Sequence, residues 1–229
     1  AALALIGAAV ATWAVDAVTD AIESAYGPYR AALFTTNQKS VPDAQAALGQ
    51  ATAAWSALTS RFKSSVPAPY DRDKAFADSL QRVQAVYAKA EQQVQAGQLA
   101  QAHETLEEAR ELIADLRRRN GVVVFSDHMN AYHEQMEHVL NEGTTALAQP
   151  GAWLLLAGQA GVLDYLAPRL RTQAPAALLS QPEFGSALDA VLGSSKSLNQ
   201  AVLRQDEAQF REALAKLKSP YSKLFLKFG

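Results

Sequence analysis

The sequence predicts an all-α chain built as two tandem antiparallel four-helix bundles related by an internal repeat. Three observations lead there. Alanine dominates, leucine and glutamine are plentiful, and β-branched residues are sparse outside Val122, Val123 and Val124, a mixture that favours helix over strand. Apolar residues recur at three- and four-residue steps along most of the chain. Residues 76–121 slide onto residues 184–229 with a shift of 108 and no gap. That alignment pairs Phe76 with Phe184, Leu80 with Leu188, Val83 with Val191 and Val94 with Val202. It also pairs Glu104 with Glu212, Leu106 with Leu214, Leu116 with Leu224 and Gly121 with Gly229. Matches at inward-facing positions are what two copies of one helical hairpin retain. They divide the chain into 1–121 and 122–229, each large enough for its own core.

The elements follow in order. Residues 1–15 are almost wholly apolar, fewer than the roughly 20 that span a bilayer. They fit the hydrophobic region of a signal peptide, the end of a membrane anchor, or an amphipathic first helix. Either of the first two places the rest outside the cytoplasm, and we expect a periplasmic chain attached to a membrane through this segment. A helical pattern continues to the interruption expected at Gly27-Pro28 and resumes over 29–38. Pro42 marks the next start, and 44–62 carries Leu48, Ala51, Trp55, Leu58 and Phe62 on one face. Pro67 and Pro69 make 63–70 a loop. Residues 71–96 form a long helix ending at Gly97, and 99–120 another, closed by Gly121. Residues 122–125 have strand propensity but no partner strand, so they read as a buried lead-in to a helix reaching about 145. Pro150-Gly151 is a turn, and 152–170 is a helix interrupted near Gly158 and Gly161. Pro168 and Pro175 mark a loop-rich crossing, and 184–203 and 206–228 are the last two helices.

A net charge of −2 gives no footprint for nucleic acid. The one dense basic run, Arg117-Arg118-Arg119, falls in a last helical turn, where it complements the macrodipole as a solvated end. The absence of cysteine excludes disulfides, zinc ribbons, iron–sulfur clusters and attached c-type haem.

Chemistry concentrates in residues 126–138, which hold three of the four histidines and both methionines. On a helix, Met129, His133 and Met136 fall within about 60° of one another. His128 lies to one side of that stripe, and His138 points nearly opposite. Two thioethers and an imidazole on one stripe suit copper(I), with His128 or His138 placed to capture the ion. Tyr132, Met136, Val139 and Gly143 lie on the same stripe, which is equally the pattern of a core face. Glu134 with His138, and His103 with Glu107, are weaker candidates for zinc or iron. No glycine-rich phosphate loop and no nucleophile–base pair is present, so we expect no enzyme.

Two resemblances accompany these readings. The hairpin 76–120, with Ala96-Gly97-Gln98-Leu99 at its turn and Ala102-His103-Glu104-Thr105-Leu106-Glu107 opening its second helix, resembles the second half of the soluble periplasmic four-helix b-type cytochromes. The resemblance implies the bundle fold. It does not carry the haem, because the position matching the family's histidine holds Arg117 in one copy and Phe225 in the other. The spacings Met129-x3-His133 and His133-x2-Met136 are similar to the His/Met pairs of periplasmic copper- and silver-binding proteins, and imply copper(I) handling or delivery. The alternative expectation is a non-catalytic, membrane-anchored periplasmic subunit or scaffold of a membrane complex.

Overall fold

The computed structural model describes residues 16–38 and 40–229. Among them the chain forms nine α-helices and one 3-10 turn, with no strand. The segment 1–15, read above as signal, anchor or first helix, lies outside the described residues. The chain divides into two compact units, Ala1–Val122 and Val123–Gly229.

In the first unit, α1 (Ala17–Asn37), α2 (Val41–Arg61), α3 (Phe76–Gln95) and α4 (Leu99–Arg119) form an antiparallel four-helix bundle. Each helix packs on its neighbour in sequence, and α1 closes the ring against α4. In the second, α5 (Phe125–Ala146), α6 (Ala152–Thr172), the single turn α7 (Ala176–Leu179), α8 (Pro182–Leu203) and α9 (Glu207–Phe228) repeat the arrangement. There α5 closes the ring on α9, and α7 rests on α8.

Local chemistry sets the helix ends. Asp16 caps α1, its Oδ1 accepting the N–H groups of Val18 at 3.0 Å and Thr19 at 2.9 Å. Gly97, at φ +73°, ends α3 in a left-handed turn in which Gln98 N–H donates to the Gln93 carbonyl at 2.8 Å. The first core is built on rings. Tyr29 stacks on Tyr87 with centroids 6.3 Å apart, and Trp55 meets Tyr87 edge-on at 6.2 Å. Burying these rings removes much apolar area from water, and their polar tips stay satisfied. Trp55 Nε1 donates to the Leu80 carbonyl at 2.9 Å, and Tyr29 Oη to that of Leu106 at 3.0 Å.

The repeat extends beyond the hairpin seen in the sequence. Buried positions of α2 and its C-cap recur in α6 at the same offset of 108, with Ala44, Leu48, Trp55 and Phe62 becoming Ala152, Leu156, Leu163 and Leu170. Those of α1 recur in α5 at an offset of 107, where Val18, Ile22, Ala25, Tyr29 and Ala32 become Phe125, Met129, Tyr132, Met136 and Val139.

Several expectations are corrected. Helix α1 runs unbroken through Gly27-Pro28, and α6 runs through Gly158, Gly161 and Pro168 to Thr172. A proline removes the bond to the carbonyl four residues earlier. Here those carbonyls belong to Ser24 and Asp164, both exposed residues, so the unpaired acceptors fall on the solvent side and cost the helix little. Helix α3 begins at Phe76 rather than 71, because Asp73 folds the preceding segment into a turn by accepting Ala75 N–H at 2.9 Å. Residues 122–125 are not a buried lead-in: Val123 is exposed, and burial begins at Phe125. The basic run is not wholly solvated either. Arg117 is fully buried, 3.3 Å from Glu23 and with its guanidinium 5.8 Å from the centroid of the Tyr26 ring.

The position matching Gly97 in the second unit is Gln205, at φ +53°, in the same turn: Asp206 N–H donates to the Ala201 carbonyl at 3.1 Å. A side chain in the left-handed region costs about 1 kcal/mol. Gln205→Gly is therefore expected to raise stability by about 0.5–1 kcal/mol in chemical denaturation. An unchanged or lower midpoint would show that the turn carries no strain.

Candidate functional site

Helix α5 places the five metal-candidate residues on different sides. It starts at Phe125, where Asp127 Oδ2 reaches back to accept Val124 N–H at 3.0 Å. From that start, Met129 and Met136 point inward and are fully buried in the core of the second unit with Tyr132, Val139 and Leu163. Tyr132 is tied to Ser195 by a 2.7 Å hydroxyl–hydroxyl bond, and burial pushes its phenol up to about 12.

His133 sits at the edge of this face, with a side chain 15% exposed. Its ring lies nearly parallel to that of Tyr221 on α9, with centroids 5.2 Å apart and 10° between planes. Tyr221 also donates its hydroxyl to the Met129 carbonyl at 3.1 Å and stacks on Tyr132. One tyrosine thus pins the backbone and two rings of α5. At the edge of the imidazole, Nε2 lies 3.4 Å from Glu137 Oε1, which also meets Lys218 Nζ at 2.8 Å. The hydrogen bond from His133, aided by Lys218 and opposed by partial burial, draws the Glu137 carboxyl down to about 2.

His128 and His138 are not gathered to this stripe. Burial first, and then the charge of Arg169 on α6, hold the His128 imidazole below its ordinary value. His138 is exposed, with Nε2 3.1 Å from the amide nitrogen of Gln159 on α6 and Nδ1 3.4 Å from Glu142. Among the described residues, no group of three or more His, Cys, Asp or Glu side chains is placed to hold a metal ion. His103 is engaged with Thr36 and Glu107, at 3.1 and 3.7 Å.

The repeat supplies a comparison within the chain. Met129, His133 and Met136 occupy the positions that Ile22, Tyr26 and Tyr29 occupy in α1. In the first unit those three residues are core packing. Arg117 is buried over Tyr26, and its counterpart in the second unit, the half-buried Phe225, stacks on Tyr221.

Sequence reasoning passed over a surface that the structure brings out. Leu154, Leu155, Val162 and Tyr165 on the outer side of α6 are 83%, 51%, 46% and 63% exposed. Gly158 and Gly161 lie between them, each with open space where a Cβ would be. The signal was available: no charged residue occurs from Ala152 to Leu163, so α6 has no polar face over three turns. None of the described helices is long and apolar enough to cross a membrane. No family model, no curated protein and no solved structure matches the chain.

The Glu137 pairing predicts a pH dependence. A carboxyl held below its unfolded value adds stability that is complete above about pH 5 and lost as pH falls toward 2. Allowing for solvent screening of a side chain 28% exposed, the contribution is on the order of 1–2 kcal/mol. Glu137→Gln is expected to be less stable than wild type at pH 7 and to lose less on acidification to pH 2.5. Parallel melting curves for the two proteins across that range would count against the pairing.

Proposed function

We propose that this chain is a non-catalytic interaction protein, a two-bundle scaffold or subunit that docks a protein partner along the outer face of α6. The observation that carries the reading is the contiguous apolar stripe Leu154, Leu155, Val162 and Tyr165. Exposed apolar residues scattered singly mean little, but a patch along one helix marks a contact surface. Gly158 and Gly161 at its centre allow another backbone to approach closely. Support also comes from the His/Met stripe, whose methionines fill positions that the first bundle fills with Ile22 and Tyr29. Location in the periplasm, with attachment to a membrane complex through residues 1–15, belongs to the same proposal. It is supported by that apolar run and by a chain without cysteine.

The test is a photo-crosslinking amino acid placed at Gly158, in cells of the native host. A discrete adduct, lost when Leu154→Glu and Val162→Glu are added, is expected. Because both positions are exposed, these changes shift stability by no more than about 0.5 kcal/mol. Absence of any adduct, or an adduct indifferent to the two glutamates, would sink the docking face.

Copper(I) handling is the second reading, favoured by one observation: Met129, His133 and Met136 do share a stripe of a single helix, with His133 partly open to solvent. Anaerobic copper(I) titration separates the two readings. On the scaffold reading the wild type takes up no equimolar ion, and Met129→Leu/Met136→Leu folds at a cost under about 1.5 kcal/mol per site. Equimolar uptake by wild type that vanishes in the double variant would establish the copper site instead.

A further inference from the structure

The first unit carries a groove that the scaffold reading does not use. It has a volume of about 490 Å³ and lies between the end of α2, the loop that follows, and the start of α3. That size is in the range of sites for small organic ligands. Its floor is apolar, made by Phe62, Val66, Phe76 and Leu80. Two lysines, Lys63 and Lys74, stand at its rim, both exposed and neither in an ion pair among the described residues. Thr59 and Gln81 complete the wall beside them.

The one carboxylate in the lining does not neutralise those lysines. Asp73 is already held by Asn120 Nδ2 at 2.9 Å, Arg119 Nη2 at 3.0 Å and the Ala75 N–H at 2.9 Å. Nor do the helix termini set the charge, because the C-terminal end of α2 and the N-terminal end of α3 meet here with opposite polarity. What remains is an apolar trough with two uncommitted ammonium groups at its edge. An anion seated between them gains charge pairing that the trough's own side chains do not supply.

We infer that this groove binds a small amphipathic carboxylate, its alkyl or aromatic body on Phe62, Phe76 and Leu80 and its head between Lys63 and Lys74. The carboxylate accepts hydrogen bonds from both ammonium groups. A neutral ligand of the same length keeps the apolar contacts and loses the charge pairing. A cationic one meets repulsion.

The probe is decanoate, titrated below its micelle concentration into the full chain and followed by amide chemical shifts, with decanol and decyltrimethylammonium as controls. Saturable 1:1 binding is expected, with shifts centred on residues 59–81. The cation should bind at least about tenfold more weakly than decanoate. Lys63→Glu/Lys74→Glu should weaken decanoate about tenfold or more, and Ala77→Trp, which fills the trough from an exposed wall position, should abolish it. Both variants alter exposed residues, so their melting temperatures serve as the folding control. Equal binding of anion and cation, or decanoate shifts lying elsewhere in the chain, would overturn the assignment. So would the absence of any shift.

Discussion

The central layer of each bundle has a fixed volume, and the rest of the structure answers to it. Four helices in a ring leave room at each level for a set amount of side chain, and close packing tolerates neither excess nor shortage. The first unit fills its middle with Tyr29, Trp55 and Tyr87. The second places Met136, Leu163 and Ser195 at the corresponding positions, all smaller. Compensation comes from sites where the first unit is small: Ala25, Ala90 and Ala102 correspond to Tyr132, Leu198 and Phe210. The ring of Tyr132 enters one helical turn earlier than that of Tyr29 and finds Ser195 for its hydroxyl.

This exchange bears on the residues that attracted chemical attention. A methionine facing the core at position 136 has a volume-filling duty, because the equivalent space in the first unit holds a tyrosine. The flexible thioether suits an irregular gap between Tyr132 and its neighbours. His133, at the edge, takes a stacking partner and a carboxylate, as a half-buried imidazole ordinarily does. Arg117 is the mirror case. It is a charged residue in a position that Phe225 occupies in the other copy, tolerated because Glu23 and the face of Tyr26 receive it.

Much of the fold was legible from local pattern. Apolar spacing marked the inward faces of α2, α3, α8 and α9, and Gly97, Gly121 and Gly151 stood at positive φ where turns were expected. The parts that misled were those where three-dimensional context overrides a local rule. Pro28 and Pro168 did not break helices, because the carbonyls they orphan face solvent. Burial of Arg117 depended on Glu23, distant in sequence, approaching from α1. The sharing of one stripe by Met129, His133 and Met136 followed from helix geometry, but how each side chain is engaged depended on Tyr221 from another helix. The groove beside Lys63 and Lys74 was invisible for the same reason: its walls come from two helices and a loop.

The three prolines inside helices, Pro28, Pro168 and Pro220, leave a mark on the outside of the molecule. Each deletes one rung of its backbone ladder, and the released oxygen belongs to Ser24, Asp164 or Lys216, all on the solvent side. The unpaired acceptors thus fall at exposed residues of the outer wall and not in either core. A helix lacking a backbone bond is weakest against bending at that level, and in each of these three the weak level sits over exposed residues rather than over the core.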